Sequence, residues 1–532
     1  MQKVLVANRG EIALRIFRAA RSLGLETAAV VEPDDRGSLH ARSADTTVEI
    51  ASYLDPAEHV RAARKAGADA VHPGYGFLAE SAELAEAVLA AGLVWVGPPP
   101  AALRAGGDKI EAKRIAAAAG VATVPEAADP PLLVKAAAGG GGRGMRIVRT
   151  AGELDEAVEA ARREADAAFG DDRVYLERYL ERPHHVEIQL LADAHGTVLA
   201  LGERDCSIQR RHQKVLEEAP SPALDAELRA RMSEAAVRFA RAIGYVGAGT
   251  AEFVVAGREF FFLELNARIQ VEHPVTEEVT GIDLVAWQLR IAAGEALDLE
   301  PPALTGHAVE VRLYAEDPRT FLPRTGRIEE LRFPSSIRVE SGVAPGDEIG
   351  TRYDPLIAKL VAAAGTREAA LDSLALALAE TEVRGVTTNL PFLRWLVAHP
   401  ILRAGETTTA FLTEHPPLSA PPTGAGDPVW QGGFRLNLPA APGSPAPDVD
   451  AAAHERTQGS GSGTVVAPMP GTVIRVHVAA GDAVVAGAPL VVLEAMKMET
   501  PLVSPYDATV RAVHVGEGDR VAGGQVLVEL EE

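Results

Sequence analysis

The run Phe262-Leu263-Glu264-Leu265-Asn266-Ala267-Arg268-Ile269-Gln270-Val271-Glu272-His273-Pro274 holds carboxylates, amides and a guanidinium at alternating positions. Read as a strand, it places Glu264, Asn266, Arg268, Gln270 and Glu272 on one face, with Leu263, Leu265 and Ile269 on the other. Glu252, in Thr250-Ala251-Glu252-Phe253-Val254, offers a second carboxylate from a neighbouring strand. Glu252, Glu264 and the Asn266 amide are hard oxygen ligands, suited to Mg²⁺ that bridges nucleotide phosphates. A second candidate is Gly139-Gly140-Gly141-Gly142-Arg143-Gly144, between the strand-like runs Leu132–Lys135 and Met145–Val148. A dinucleotide-binding loop requires a helix after its glycines, and a P-loop requires Gly-Lys-Ser/Thr; neither follows here. A glycine hairpin instead makes a flap whose bare backbone N–H groups close over phosphates, with Lys109 and Lys135 as flanking cations for a triphosphate. The third candidate, Glu203–Lys214, packs Arg204, Arg210, Arg211, His212 and Lys214 into an acidic chain and reads as an anion site. Cys206 within it has no base assignable from sequence and reads as a packed small hydrophobe.

Near the C-terminus Lys497 stands between two methionines in Glu494-Ala495-Met496-Lys497-Met498-Glu499-Thr500. The segment Gly471–Glu494 recurs without a gap as Ala508–Glu531, so that Thr472, His477, Gly481, Asp482, Gly487, Leu490 and Leu493 return as Thr509, His514, Gly518, Asp519, Gly524, Leu527 and Leu530. Both copies alternate apolar and polar residues and break at Gly-Asp, the pattern of short strands and turns. Two matching halves predict a small quasi-symmetric β-barrel with Lys497 in the connection between them, where a side chain is most accessible to a modifying enzyme.

These groups need a scaffold, and 532 residues predict several domains. Residues 1–108 alternate strand and helix: Lys3–Ala7 is strand-like, Ile12, Ile16, Ala20 and Leu23 mark one helical face, Gly24 closes the helix and Ala28–Val31 is the next strand. That is an open α/β sheet. Residues 109–300 read as α+β, and residues 301–415 as strands with one Ala/Leu-rich helix near Leu371–Ala379. From Pro416 to Gly463 the chain is rich in Pro, Ala, Gly and Ser, the composition of a flexible tether. The net charge of −22 argues against nucleic acid or an anionic membrane as main partner, and a single cysteine excludes an internal disulfide and fits a reducing compartment. With no leader-like N-terminus and no transmembrane run, the expectation is a cytoplasmic enzyme.

Together, Ala7-Asn8-Arg9-Gly10-Glu11-Ile12-Ala13, His72-Pro73-Gly74-Tyr75-Gly76-Phe77-Leu78, the glycine loop, Arg210-Arg211-His212-Gln213-Lys214 and Asn266–Glu277 resemble biotin carboxylase, in unbroken order from Met1 to about His415. The Ala495–Met498 setting resembles the biotinyl (biotin carboxyl carrier) domain, and the Asp-Lys-Ala tip usual in a lipoyl domain is absent. The whole is similar to the α chain of a bacterial acyl-CoA carboxylase. The resemblance implies a multidomain α/β and α+β chain: a Rossmann-like N-terminal domain (1–108), an ATP-grasp domain with a glycine-rich lid (109–300), the biotin carboxylase C-terminal domain (301–415), a linker (416–463) and an all-β biotinyl barrel (464–532). It implies ATP-dependent carboxylation of biotin by bicarbonate, with ATP at Lys109, Lys135, Gly140, Gly141, Glu177, Arg178, Tyr179, Leu180, His185 and His212. Two Mg²⁺ or Mn²⁺ ions fall to Glu252, Glu264 and Asn266, and bicarbonate to Lys214, Arg268 and Val271. Glu272 corresponds to the general base, and Arg338, in Ile337-Arg338-Val339-Glu340, to the arginine that holds bicarbonate and stabilises the biotin enolate. Lys497 corresponds to the biotin attachment site. Implied partners are a biotin protein ligase, a separate carboxyltransferase (β) subunit and further copies of the carboxylase part.

Three departures accompany the resemblance. Ala267 replaces a usual threonine, on the strand face opposite the metal ligands. The chain between Gly120 and Leu132 is shorter by about a helix and its turn. The folded domain that docks the β subunit in many α chains is missing, with Trp430–Asn437 similar to its start. A carboxylate–amine ligase of the same fold is disfavoured by the RRHQK and EAMKM segments. A non-catalytic carrier subunit is separated from an enzyme by bicarbonate-dependent ATPase activity. The final acceptor stays open among acetyl-, propionyl-, longer acyl- and methylcrotonyl-CoA, and pyruvate.

Overall fold

The computed structural model describes residues 1–137, 145–169, 171–210, 213–419, 463–468, 471–495 and 498–531. It divides into two compact units, Met1–Tyr314 with Arg327–Glu348 and Leu356–Ser419, and a remainder that holds the C-terminal barrel. Gly140, Gly141, His212 and Lys497, together with most of the linker, lie outside the described residues.

The N-terminal residues form the expected open sheet. Its five parallel strands run in the order Thr46–Glu49, Glu26–Val31, Lys3–Val6, Ala70–His72 and Val94–Trp95. Central strands of a parallel sheet are covered on both faces, which is why Val4, Leu5 and Val6 are all apolar and fully buried. The helix Gly10–Ser22 turns Ile12, Ile16 and Ala20 inward, as their spacing predicts. Gly74 has φ +66°, and a Cβ there would lie 2.8 Å from the Asn8 amide nitrogen, so only glycine fits. That amide donates to Pro73 O at 2.8 Å and Tyr75 O at 2.7 Å, fixing the His72–Leu78 loop against the Asn8–Gly10 turn.

The central sheet has eight strands in the order Glu259–Asn266, Gly247–Ala256, His184–Ala192, Val198–Arg210, Gln213–Ala219, His307–Tyr314, Leu356–Ala364 and Arg338–Ser341. It crosses residue 300 without interruption, so the sequence-drawn division there separates segments that share one sheet. The strand His307–Tyr314 is buried at every position, which leaves Glu310 and Arg312 inside the protein and in need of charge partners.

A smaller three-stranded sheet is formed by Arg146–Val148, Leu132–Ala136 and Val174–Arg178, with Leu132, Val134 and Val148 packed against Ala161 of the helix Leu154–Phe169. Leu132 pairs antiparallel with Val148 and Val134 with Arg146, while the glycine run between these strands lies outside the described residues. The C-terminal segment contains the expected helix as Arg367–Glu380, and also Leu390–Ala398, Pro400–Ala404 and Phe411–Glu414. These three escape a sequence reading because they are short and two begin around a proline, a residue that ends strands but is at home in a helix's first turn.

The barrel is two four-stranded sheets, Thr464–Val466 with Val526–Glu531, Ala508–Val513 and Ala483–Val484, and Met498–Val503 with Pro489–Ala495, Gly471–Val476 and Arg520–Val521. The sheets exchange their short strands: Ala483–Val484 of the first repeat pairs with the second repeat, and Arg520–Val521 with the first. Val473, Leu490 and Leu493 meet their repeat counterparts Val510, Leu527 and Leu530 in one core. Ala495 pairs antiparallel with Met498; Lys497, between them in sequence, lies outside the described residues. No helix among the described residues is long and apolar enough to cross a membrane.

Candidate active site

The antiparallel pairing of Gly247–Ala256 with Glu259–Asn266 sets Glu252 directly opposite Glu264, and Thr250 opposite Asn266. Alternation along both strands therefore brings two carboxylates and an amide to one face, as the sequence predicts. Across the sheet, the strand Gln213–Ala219 delivers Lys214 to the same face. Its Nζ lies 2.8 Å from Glu252 Oε1 and 2.6 Å from Glu272 Oε1, and also bonds Glu187. Burial is the largest influence on this ammonium and opposes its charge. The three carboxylates outweigh it and hold the Lys214 pKa well above that of an ordinary lysine. Burial likewise pushes Glu272 upward, but Lys214, Arg312 and Arg204 prevail and hold its carboxyl below the usual range. Glu272 is thus an ionised, water-shielded carboxylate at neutral pH, the form a general base needs.

Glu272 reaches this position by another route than the sequence predicts. The strand ends at Asn266, and Glu272 caps the helix His273–Thr280 with φ −82° and ψ 10°. Pro274 in the first turn of that helix is the physical reason: its fixed φ starts a helix and cannot continue a ladder. Arg268 consequently shares no strand face with Glu272. Its guanidinium donates to Asn266 Oδ1 at 2.8 Å and Gln270 Oε1 at 2.6 Å, and Nε lies 3.3 Å from Glu80 Oε2. Ala267 also sits beyond the strand, buried, donating its backbone N–H to Glu80 Oε1 at 2.9 Å.

Arg338 lies elsewhere. Its partners are Glu277 at 2.7 Å, Glu278 at 3.1 Å and Glu340 at 3.0 Å. The arginine that meets Glu272 is Arg312, whose Nη2 is 3.0 Å from Glu272 Oε2 and also pairs with Glu217. The sequence carried a signal for it, since two charges in the otherwise apolar run His307–Tyr314 of a buried strand demand partners. Burial pushes Glu217 up to about 7, against the pull of Arg312.

Of the basic segment, Arg204 and Arg210 are engaged with other side chains, and Arg211 and His212 lie outside the described residues. Arg204 is fully buried and donates to Gln189 at 2.7 Å, Thr276 at 2.8 Å and Thr250 at 3.1 Å, and to Glu187. Arg210 lies over the Tyr314 ring, 5.5 Å from its centroid. Cys206 is buried and its thiol is pushed well up by burial, as expected of a packed hydrophobe.

On the lid side, Lys109 opens the helix Lys109–Ala118, capped by Asp108, and its Nζ lies 3.2 Å from Glu264 Oε2. Lys135 is 3.2 Å from Glu177 Oε2, and Lys113 holds the other oxygen. Arg178 stacks on Phe261 at 5.5 Å, and Tyr179 N donates to Pro131 O at 3.1 Å. Leu180 is half-buried beyond that strand. His185 Nε2 lies 2.8 Å from Glu252 Oε2. The donor set fits a hard divalent cation: Glu252 faces Lys214 and the Asn266 amide, and Glu264 faces Lys109, so both carboxylates already sit against positive groups. His185, Glu187 and Glu252 also bring ligand atoms within 4.8 Å of one another. Lys214 bonds both of those carboxylates, so Glu252 is shared between this ion-pair cluster and the Glu264–Asn266 group.

Family models match nearly the whole chain: the biotin carboxylase N-terminal domain over residues 1–103, the ATP-binding domain of the carbamoyl-phosphate synthase L chain over 107–300, the biotin carboxylase C-terminal domain over 310–414, and a biotin-requiring enzyme domain over 463–530. The propionyl-CoA carboxylase alpha chain of Ruegeria pomeroyi is 44% identical over 463 residues, covering 78% of this chain and 68% of the relative. The mitochondrial methylcrotonoyl-CoA carboxylase subunit alpha of Oryza sativa is 48% identical over 445 residues, and the matched region covers 78% of this chain but 60% of that relative's length. The biotin carboxylase domain dimer of Hydrogenobacter thermophilus 2-oxoglutarate carboxylase, solved with MgADP, ADP and bicarbonate, superposes with a TM-score of 0.76 at 43% identity, over 78% of this chain and 98% of that one. The chain belongs to the biotin carboxylase family, with an ATP-grasp core and a biotin-requiring carrier domain.

Proposed function

We propose that this chain carboxylates biotin carried on its own Lys497, using ATP and bicarbonate, as the first half-reaction of an acyl-CoA carboxylase. One observation carries the reading: the buried Glu272 carboxylate stands between Lys214 at 2.6 Å and Arg312 at 3.0 Å, a base with two cations beside it. Glu272 takes the bicarbonate proton, while Lys214 and Arg268 hold the resulting anion by charge-assisted hydrogen bonds. Glu252, Glu264 and Asn266 would hold Mg²⁺ or Mn²⁺, which neutralises phosphate charge as the terminal phosphoryl group moves to bicarbonate. Lys109, Lys135 and the glycine hairpin close on the nucleotide. The phosphorylated bicarbonate would break down to CO₂ and phosphate, the phosphate would take the proton of the ureido nitrogen that attached biotin would supply, and that nitrogen would accept the CO₂. A separate carboxyltransferase chain completes the reaction on an acyl-CoA, supported by the alpha-chain relatives. A biotin protein ligase, self-association of the carboxylase part and a cytoplasmic setting complete the proposal.

The biotinylated chain, given ATP, Mg²⁺ and labelled bicarbonate, should load label onto its carrier domain and pass it to an acyl-CoA only when a carboxyltransferase chain is added. ATP hydrolysis indifferent to bicarbonate would overturn the carboxylase reading. Label in acyl-CoA without the second chain would overturn the two-chain part.

Arg312 takes the role that the family pattern first suggested for Arg338. Arg312→Gln should lower bicarbonate-dependent turnover by about 10²–10³-fold, the scale of losing one preorganised donor to developing negative charge. ATP affinity, read by calorimetry, should hold. Arg338→Gln should lose much less, and the reverse ranking would return the role to Arg338.

A further inference from the structure

Two buried side chains that the mechanism does not use end on the backbone beside the general base. Lys359, on the strand Leu356–Ala364, is fully buried, and its Nζ donates to the Val271 carbonyl at 2.8 Å. Its charge is met by Glu11 Oε1 at 3.1 Å, and the same oxygen accepts from the Tyr75 hydroxyl. One residue further on, His273 Nδ1 lies 2.7 Å from the Gln270 carbonyl oxygen, which as an acceptor requires the proton on Nδ1. His273 is fully buried, and burial, then Lys359, Arg15 and Arg338, keep it neutral.

These contacts cap the carbonyls of two successive peptide groups, Gln270–Val271 and Val271–Glu272. In a trans peptide the N–H points away from its own carbonyl, so fixing the two oxygens fixes where the Val271 and Glu272 N–H groups point. No described residue accepts from either N–H. A cation on a carbonyl also polarises the peptide and strengthens the donor at its other end. A buried Lys–Glu pair is costly to desolvate, and an apolar side chain would fill this place without that cost.

We propose that Lys359, backed by Glu11, and His273 are positioning residues that aim the Val271 and Glu272 N–H groups at the bicarbonate; this rests on the carboxylase reading above. They touch no reacting atom. They hold the backbone that does, Lys359 from a strand remote in sequence and His273 from the start of the helix that directly follows Glu272.

The test uses the full biotinylated chain and bicarbonate-dependent ATP hydrolysis. Lys359→Met and His273→Leu should each raise the KM for bicarbonate by at least about tenfold, below the ~10²–10³-fold scale of removing an oxyanion donor outright. The KM for ATP should stay at its wild-type value. His273→Asn, whose amide places a donor near the Nδ1 position, should restore the bicarbonate KM. Unchanged bicarbonate KM in His273→Leu, or His273→Asn behaving as the leucine variant does, would overturn the proposal even if Lys359→Met fails to fold. So would bicarbonate and ATP parameters worsening together, the sign of a general structural role. Wild-type protein without bicarbonate-dependent hydrolysis would instead overturn the underlying reading, so the two failures are distinguishable.

Discussion

Replacing Lys497 by arginine should abolish biotin attachment completely. Intact-mass analysis of the wild-type chain co-expressed with a biotin ligase should show one biotinyl group, and the Lys497→Arg chain should show none. The barrel's repeat singles out this lysine. Every strand of Gly471–Ala495 has its counterpart in Ala508–Glu531, and Lys497 falls in the stretch of sequence between the two copies. Arginine keeps the charge and length but has no primary amine to acylate, so the barrel should fold while attachment fails. The substitution also removes label loading from bicarbonate yet leaves bicarbonate-dependent ATP hydrolysis measurable, because Lys214, Arg268 and Glu272 are untouched. Biotin persisting on Lys497→Arg would show that another lysine is the acceptor.

The legible parts of this chain are those where local pattern and three-dimensional neighbourhood coincide. The barrel's repeat is visible because the same alternation and Gly-Asp break recur at a fixed spacing, and each long repeat strand forms a hairpin pair within its own copy. Glu252 opposite Glu264 is visible because both strands alternate and lie a short turn apart. The run Ala267–Glu272 misleads for the same reason: irregular backbone continued a period of two by chance, and Pro274 was the stronger cue, pointing to a helix start. For Arg312 the sequence signals a buried charge in need of partners but not which partners. Its strand is buried on both faces, so it has no polar face to read, and its partners Glu217 and Glu272 come from a neighbouring strand and a helix cap distant in sequence. The sheet's passage through residue 300 is likewise non-local, since the strand Gln213–Ala219 finds its neighbour only at His307–Tyr314.

Glu272→Gln should cost bicarbonate-dependent ATP hydrolysis roughly 10²–10⁴-fold, the usual share of general-base catalysis, or about 3–5 kcal/mol of barrier. The amide keeps the size of the side chain but has no basic carboxylate. The ionised form is the one lost, because Lys214 and Arg312 hold this carboxyl below the usual range and keep it deprotonated through neutral pH. The fold should survive, since Lys214 retains Glu187 and Glu252, and Arg312 retains Glu217, so neither cation is left buried without a partner. Nucleotide affinity should survive as well, as Glu272 lies outside the Glu252, Glu264 and Asn266 group. Glu264→Gln gives the contrasting result: it removes a hard oxygen from the metal set and should weaken ATP binding in the presence of Mg²⁺, measured by calorimetry, before turnover is considered. If Glu272→Gln turns over like the wild type while Glu264→Gln loses nucleotide, the base must be sought elsewhere in the cluster. Glu187 would then be the first candidate: it shares Lys214, and burial pushes its carboxyl up against the pull of Arg204 and Lys214.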